Sequence, residues 1–294
     1  MIRPGATISR RDVARHYDDL DPFYRGLWGE HVHHGYWSRP NQSAAMAADA
    51  LVDLLASRLH LQQGDHLCDV GCGYGATARR LWTQHAVVVT GVTISCAQAS
   101  LAMHVADPGP HPHAVAAPRF LLMDWLHNGF KDAAFEAAIA VESSEHMASL
   151  PAFFGELFRT LKPGGRIVVC AWLSASSPSA WQIRSLLEPI CREGRLAGLG
   201  THQEYLEAMA EAGFTRIEFE DITAAVSRTW SVCLRRLALA IGTNRHNIRQ
   251  FLRDRSQANR AFALTAIRIR LAYLLGPLRY GIFTATKPQG ASPA

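Results

Sequence analysis

Two glutamates and a histidine stand close together in the segment Val141-Glu142-Ser143-Ser144-Glu145-His146-Met147. The segment follows FEAAIAV, an apolar run that is typical of a buried strand. A carboxylate or an imidazole can take up and release a proton, and a carboxylate can also stabilise a developing cation. We therefore predict that Glu142 and His146 form a catalytic acid–base pair, with Glu145 beside them on the substrate side. The alternative for Glu145 and His146 is that they satisfy donors at a helix end.

A glycine-rich turn, Asp69-Val70-Gly71-Cys72-Gly73-Tyr74-Gly75, follows a second apolar run, HLCDV. Such a turn between a strand and a helix brings main-chain N–H groups close to a ligand. Its G-x-G-x-G spacing departs from the dinucleotide pattern, and the second predicted strand ends in GVTIS without an acid. The turn therefore fits a ligand that lacks a pyrophosphate and has a charged amino-acid end, namely S-adenosylmethionine, and it argues against a nicotinamide cofactor.

Strand-like and helix-like patterns alternate between residues 43 and 172, which predicts an α/β fold with a parallel sheet. The first five strands are predicted in HLCDV, AVVVTGV, RFLLMD, FEAAIAV and RIVVCAW, with a loop at 108–118. Helices dominate after Trp172, including a long Arg-rich stretch at 228–278, and FTRIEFEDI and YGIFTATKP are two further strands. We divide the chain into an N-terminal lid (1–42), a cofactor-binding core (43–172) and a cap of substrate-side helices with the last two strands (173–294).

In combination, these motifs resemble the class I S-adenosylmethionine-dependent methyltransferases, and most closely their γ-tocopherol methyltransferase-like branch of small-molecule enzymes. The resemblance covers the chain from about Tyr17 to Lys287. It is carried by His16-Tyr17-Asp18, WGEHVHHGYW (28–37), DVGCGYG, GVTIS with Gln98, VESSEHM and LKPGG. It implies a doubly wound, mostly parallel, Rossmann-like sheet of seven strands with an N-terminal helical lid and a helical substrate cap.

The same resemblance implies a set of cofactor contacts. Gly71 and Gly73 would let the methionine part approach the main chain, and Asp69 would organise the turn or reach the ammonium group through water. Asp124 would accept a hydrogen bond from the adenine amino group. The complete expected set is Tyr17, His34, Gly35, Asp69, Gly71, Cys72, Gly73, Thr93, Ile94, Gln98, Asp124, Trp125 and Val141.

Methyl transfer is an in-line displacement at a sulfonium methyl, so the enzyme must align the nucleophile and exclude water. A phenol or amine acceptor also needs a base, whereas an alkene or ring carbon passes through a cation. We predict methylation of a small, hydrophobic, prenylated or aromatic specialised metabolite. Carbon methylation of a prenyl diphosphate or terpenoid chain is the alternative, because Glu142-Ser143 resembles the Glu-Ser of prenyl-diphosphate C-methyltransferases.

Seven residues are expected on the acceptor side, and for the aromatic ones core packing is the alternative. They are His31, Trp37, Glu145, Trp181, Tyr205, Trp230 and Tyr280. The neighbouring His31, His33 and His34 resemble a metal site, but close neighbours on an irregular segment rarely converge, so no metal is expected. The six cysteines lack zinc-ligand spacing and are expected to be reduced.

Charge is distributed unevenly along the chain. The formal net charge is +5, but eleven arginines and one lysine against Asp254 give residues 228–294 a charge of +11 and leave −6 on the rest. Such a tail can meet nucleic acid, a membrane surface or an anionic substrate, or it can be a solvated helix face. Aromatic residues do not interleave the arginines, which argues against nucleic acid. Contact with a membrane surface and a homo-oligomer stay open.

The N-terminus has no apolar core of the kind that a signal peptide needs, and no apolar run approaches the roughly 20 residues of a membrane span. We therefore expect a cytoplasmic protein.

Overall fold

The computed structural model describes residues 1–27, 29–105, 115–242 and 257–290. Its strands are β1 (His66–Val70), β2 (Val88–Thr93), β3 (Arg119–Leu122), β4 (Phe135–Val141), β5 (Leu161–Ser174), β6 (Thr215–Asp221) and β7 (Leu278–Thr286). Within the described ranges they form one seven-stranded sheet in the order β3-β2-β1-β4-β5-β7-β6. The first five strands are parallel, and β7 runs antiparallel between β5 and β6. The predicted doubly wound, mostly parallel sheet is confirmed.

The helices are α1 (Arg10–Leu27), α2 (Ala44–Leu59), α3 (Ala76–His85), α4 (Cys96–His104), α5 (Leu150–Thr160), α6 (Ala180–Gln182), α7 (Glu188–Glu193), α8 (His202–Glu211), α9 (Thr223–Val226), α10 (Arg228–Gly242) and α11 (Gln257–Leu275). A π-helical turn, Ile183–Leu187, joins α6 to α7. Pro189 at the start of α7 cannot donate to the preceding turn, and a widened turn accommodates that missing bond.

Short polar side chains begin several of these helices. The hydroxyls of Ser43, Ser95 and Ser149 accept from the main-chain N–H three residues on, at the starts of α2, α4 and α5. Thr201 and Glu204 form a capping box at the start of α8. Each cap satisfies N–H groups that the helix itself leaves without partners.

The sheet separates two apolar clusters. Leu51, Leu55 and Leu81 from α2 and α3 pack on one face, and Phe153, Phe154 and Tyr205 from α5 and α8 pack on the other. Strand order reverses between β1 and β4, so a crevice opens at the carboxyl ends of these two strands. The glycine turn leaves β1 at this point, and Glu142 follows β4.

Three parts of the sequence predictions reach beyond the described residues. Trp28 of the lid motif lies outside them, as do 106–114 around the predicted loop and 243–256 of the Arg-rich stretch. The described parts of that stretch form α10 and α11. None of the described helices is long and apolar enough to cross a membrane.

Candidate active site

Two cavities meet at the crevice between β1 and β4. The glycine-turn cavity, about 410 Å³, is bordered by the turn after β1, the ends of β2 and β3, and the lid. The helix-side cavity, about 580 Å³, lies between α1, the end of β5, α7 and α11. Tyr17, Val32, Glu142 and His146 border both cavities. A group transferred from one cavity to the other would therefore pass these four side chains.

The glycine turn approaches the β4 loop so closely that a side chain does not fit. Gly71 has φ +82°, and a Cβ added there would lie 2.3 Å from Cβ of Ser143. The main-chain N–H groups of Gly71 and Cys72 both donate to the carbonyl of Val92 at 2.9 Å, which fixes the turn against β2. Because Gly71 has no side chain, the main chain itself forms the cavity wall.

Asp69, at the end of β1, is buried beneath this turn. Among the described residues its Oδ2 has no hydrogen-bond partner, and burial raises the pKa of the carboxyl group to about 7. An orphaned buried acceptor is costly unless a donor reaches it. The unpaired oxygen, next to main chain that lacks a Cβ, fits a ligand that brings an ammonium group or a bridging water.

At the other end of the glycine-turn cavity, polar groups follow β2 and β3. Thr93 donates to Oε1 of Gln98 at 2.8 Å, and both side chains are buried. Asp124 accepts from the N–H of Leu126 at 3.1 Å through Oδ1 and lies 2.9 Å from Nδ1 of His127 through Oδ2. These side chains could bind the hydroxyl and amino groups of a nucleoside.

Most residues predicted to bind the cofactor line the glycine-turn cavity. They are Tyr17, Asp69, Gly71, Cys72, Gly73, Thr93, Ile94, Gln98, Asp124, Trp125 and Val141. The structure does not bring His34 and Gly35 there. A Cβ on Gly35 would lie 2.6 Å from Cβ of Ala47, so the main chain presses against α2 and turns His34 toward the helix-side cavity. His31 and His33 face the glycine-turn cavity instead.

Glu142 lies at the centre of a buried hydrogen-bond network. Its Oε1 accepts from the main-chain N–H of His34 at 2.6 Å and from Nδ1 of the same residue at 3.0 Å. The hydroxyl of Tyr280 donates to Oε1 at 2.6 Å, and Nε1 of Trp172 donates to Oε2 at 2.6 Å. Burial raises the pKa of Glu142, but the imidazole and the hydrogen bonds outweigh burial and lower the pKa to about 2. Glu142 is therefore an ionised, fully hydrogen-bonded carboxylate.

Glu145, three residues after Glu142, is also buried, but its surroundings favour the neutral, protonated form. Its Oε1 accepts from the main-chain N–H of Trp172 at 2.6 Å, and Oε2 lies 3.1 Å from the hydroxyl of Ser144. Burial raises the pKa of Glu145 to about 8, because these two neutral donors do not offset the loss of water. At neutral pH its carboxyl group is protonated.

His146 is held in one tautomer. Its Nδ1 lies 2.9 Å from the carbonyl of Arg195, which can only accept, so Nδ1 carries the hydrogen. Nε2 lies 2.8 Å from the hydroxyl of Tyr17. Burial lowers the pKa of His146, so at neutral pH Nε2 is an unprotonated acceptor directed at the wall between the cavities. An imidazole in this state can accept a proton from a hydroxyl group.

The residues predicted on the acceptor side are dispersed. Glu145 and Trp230 line the helix-side cavity, and Tyr280 lies behind it as a donor to Glu142. The structure does not bring the others there. Trp37 donates to Thr229 outside both main cavities, and His31 faces the glycine turn. Tyr205 stacks on Phe283 on the opposite side of the sheet.

The last of these residues, Trp181, is half exposed on α6. Trp172 is not among the predicted site residues, but it lines the helix-side cavity and donates to Glu142. Its position at the carboxyl end of a predicted strand is the signal that could have identified it. Among the described residues, no cluster of three or more His, Cys, Asp or Glu could hold a metal ion.

The family model for mycolic acid cyclopropane synthetase (CMAS) matches residues 6–261. The 27-O-demethylrifamycin SV methyltransferase of Amycolatopsis mediterranei is 30% identical over 282 residues, which are 94% of this chain and 97% of that protein. The chloroplastic tocopherol O-methyltransferase of Arabidopsis thaliana is 26% identical over 298 residues, 95% of this chain and 82% of that protein.

Solved structures share the fold across nearly the whole chain. The [4+2]-cyclase SpnF superposes with a TM-score of 0.80 at 28% identity, covering 98% of this chain and 99% of that one. The mycolic acid cyclopropane synthase CmaA1, complexed with SAH and CTAB, superposes with a TM-score of 0.83 at 21% identity, covering 96% and 99%.

Proposed function

Because the chain belongs to the mycolic acid cyclopropane synthetase family and is an S-adenosylmethionine-dependent methyltransferase of small molecules, we propose that it methylates a hydroxyl oxygen of a hydrophobic specialised metabolite. The observation that carries the proposal is the environment of His146. An unprotonated imidazole nitrogen, fixed by the carbonyl of Arg195, borders both cavities and already contacts one hydroxyl group, that of Tyr17.

S-adenosylmethionine supplies an electrophilic sulfonium methyl group when it is bound. In this proposal the glycine-turn cavity holds it: Gly71 and Gly73 let its methionine part approach the main chain, and Asp69 meets its ammonium group directly or through water. Gln98 and Asp124 are the polar groups for its nucleoside end. The orphaned oxygen of Asp69 and the wall that a Cβ at Gly71 would fill support this assignment.

The helix-side cavity is the proposed acceptor site. Its volume of about 580 Å³ lies in the range of pockets for drug-sized molecules. Leu20, Val32, Ile190, Leu196 and Ile269 give it apolar walls. Arg15, Arg192 and Arg195 at its border are matched by Asp12, Asp19 and Glu193, so the border has no excess charge for a diphosphate.

His146 acts as the base in this proposal. The acceptor hydroxyl would replace Tyr17 as the donor to Nε2. Its proton would pass to that nitrogen as its oxygen takes up the methyl group, whose bond to the sulfonium sulfur breaks and leaves a neutral thioether. The ionised Glu142 and the carbonyl of Arg195 both favour the resulting imidazolium, since each raises the pKa of His146. Glu142 therefore stabilises charge and positions His34, and is not itself the base.

Carbon methylation is the second candidate, and the charge of Glu142 is the observation that favours it. A carboxylate with a pKa of about 2, beside the rings of His34 and Trp172, could stabilise a carbocation. In that case His146 would remove the proton from carbon after the transfer. The two candidates share the cofactor site and differ in the acceptor atom.

We also propose that each of the three segments of the chain has its own role. Residues 1–42 form a lid whose Tyr17 closes the wall between the cavities, 43–172 hold the cofactor, and 173–294 supply the acceptor walls through α7, α10 and α11. Residues from all three segments line the helix-side cavity, which supports one integrated domain.

The test is mass spectrometry of acceptors after incubation with methyl-labelled S-adenosylmethionine. The panel contains 27-O-demethylrifamycin SV, a prenylated quinol, a simple phenol, an indole, and geranyl and farnesyl diphosphates. Label on a hydroxyl oxygen that disappears in His146→Gln supports the proposal. Label on a carbon atom favours carbon methylation. Label found only on geranyl or farnesyl diphosphate contradicts the proposal that the acceptor is uncharged.

A further inference from the structure

Between residues 264 and 275, where its side chains are described, α11 exposes only apolar residues to solvent. Between residues 264 and 275, the helix side that packs on the protein carries Thr265, Ala266, Ile269, Ala272 and Tyr273. The exposed side chains form what we call the leucine stripe, and they are between 40% and 61% exposed: Leu264, Ile267, Leu271, Leu274 and Leu275. A surface helix normally presents polar side chains to water. A continuous apolar stripe of this length marks an interaction surface.

The two arginines between residues 264 and 275 do not cover the stripe, because both are directed to neighbouring elements. Arg268 pairs with Glu193 at the end of α7, and Nε of Arg270 donates to the hydroxyl of Ser231 on α10 at 2.7 Å. These contacts hold α11 so that its exposed side chains between residues 264 and 275 are leucine and isoleucine.

Two further exposed apolar residues extend the patch. Leu239 is on α10, which packs beside α11, and Trp181 precedes Gln182, whose side chain donates to the carbonyl of Leu275. The rim of this surface is basic. Its exposed charged side chains on α10, the π-helical turn and the start of β7 are Arg184, Arg235 and Arg279.

A second copy of the chain fits this surface poorly. A stable dimer interface needs roughly 20–30 residues on each side, and the patch has seven. Symmetric pairing through the stripe would also bring arginine rims together, and like charges oppose association. An anionic lipid surface matches both features, because lipid chains accept Leu, Ile and Trp while headgroups attract arginine.

We propose that the leucine stripe and its arginine rim dock this enzyme on the surface of a membrane that contains anionic lipids. Thr265 and Ile269, on the inner face of the same helix, line the helix-side cavity. Docking through α11 therefore brings that cavity next to the lipid, where apolar molecules accumulate. The proposal rests on this apolar patch and its basic rim, and it does not depend on which acceptor atom is methylated.

The experiment is flotation of the full chain with vesicles of phosphatidylcholine alone or mixed with phosphatidylglycerol. Wild type is expected to float with the phosphatidylglycerol vesicles and to lose binding as salt is raised. The double variant Ile267→Glu/Leu271→Glu should lose about tenfold or more in affinity, since it places charge in the apolar layer. Arg235→Glu tests the rim without touching the stripe and should also weaken binding.

Leu122→Glu is the matched control, because Leu122 is equally exposed but lies on the edge strand β3. It should bind as wild type does. Circular dichroism and binding of S-adenosylhomocysteine verify that each variant is folded. The proposal is overturned if wild type floats with neither vesicle, if Leu122→Glu loses as much binding as the stripe variant, or if the stripe variant only converts a dimer into a monomer in light scattering.

Discussion

Glu142 and Glu145 are both held by Trp172, which donates its indole N–H to the first and its main-chain N–H to the second, each at 2.6 Å. Burial raises the pKa of both carboxyl groups, but only Glu142 also accepts from His34 and Tyr280. Their pKa values therefore diverge to about 2 and about 8. At neutral pH the site holds one carboxylate and one carboxylic acid, three residues apart on one loop.

Replacing Glu142 with Gln should destabilise the folded protein at neutral pH. The pKa of Glu142 falls from 4.5 to about 2 on folding, so the carboxylate stabilises the fold above pH 4.5, and this contribution is lost as pH falls toward 2. By linkage it amounts to about 3 kcal/mol. Urea unfolding should show Glu142→Gln less stable than wild type at pH 7, with the difference shrinking between pH 4.5 and 2.

The control for this measurement is Glu218→Gln, which changes an exposed glutamate on β6. It should leave the free energy of unfolding within a few tenths of a kcal/mol of wild type, as surface substitutions usually do. A difference between Glu142→Gln and wild type that does not change with pH would contradict ionisation as its cause.

Glu145→Gln should have the opposite pH signature. The pKa of Glu145 rises from 4.5 to about 8 on folding, so its contribution to stability is fully present below pH 4.5 and is lost as pH rises through 8. The amide oxygen can keep the bond from the main-chain N–H of Trp172. Relative to the variant, wild type should lose about 1.4 kcal/mol of unfolding free energy per pH unit in this window. Parallel stability curves would show that Glu145 is ionised in the fold.

His146→Gln should lower kcat by roughly a hundredfold or more, which is the usual cost of removing a general base. Burial lowers the pKa of His146, so the acid limb of kcat/KM in wild type should lie below pH 6.5. Glu142→Gln removes a group that raises this pKa, and should move the limb to still lower pH. Binding of S-adenosylhomocysteine should be unchanged in His146→Gln. If Glu142→Gln does not shift the pH profile, Glu142 does not influence the protonation of His146.

Features set by local sequence were predictable. Ser43, Ser95 and Ser149 begin helices because the hydroxyl at that position accepts a hydrogen bond from the main-chain N–H three residues on. Such a cap depends only on neighbouring residues in the sequence. The glycine turn and the position of Glu142 and His146 follow from strands whose carboxyl ends meet at one edge of a parallel sheet.

Contacts between distant segments were not predictable. His34 turns toward Glu142 because Gly35 lies against Ala47 on α2, and nothing in the lid motif encodes that neighbour. A capping box marks the start of α8 in the local sequence, but the face of the sheet on which Tyr205 packs depends on how the chain crosses over. The place of Trp172 at the end of a predicted strand could be read from the sequence, but its hydrogen bond to Glu142 joins two different strands.

Asp124→Ala should weaken binding of S-adenosylhomocysteine by about 1–3 kcal/mol, because a nucleoside amino group would lose its acceptor. The substitution also removes the cap on Leu126, so Asp124→Asn is the matched variant: its Oδ1 keeps that bond. Calorimetry should show weaker binding for both variants, while only Asp124→Ala lowers the melting temperature. An unchanged dissociation constant in Asp124→Asn would remove Asp124 from the nucleoside site.

Gly71→Ala should abolish most cofactor binding. The new Cβ would lie 2.3 Å from Cβ of Ser143, and φ +82° is strained for alanine. The turn must therefore move away from the β4 loop, and we expect affinity for S-adenosylhomocysteine to fall by about tenfold or more, with a stability loss of about 1–3 kcal/mol. Gly129→Ala is the control, since a Cβ there meets nothing within 4 Å. Adding Ser143→Gly removes the clash but not the backbone strain. The affinity that the double variant regains therefore measures how much of the loss the clash causes. Full affinity in Gly71→Ala alone would mean that the ligand does not approach this turn.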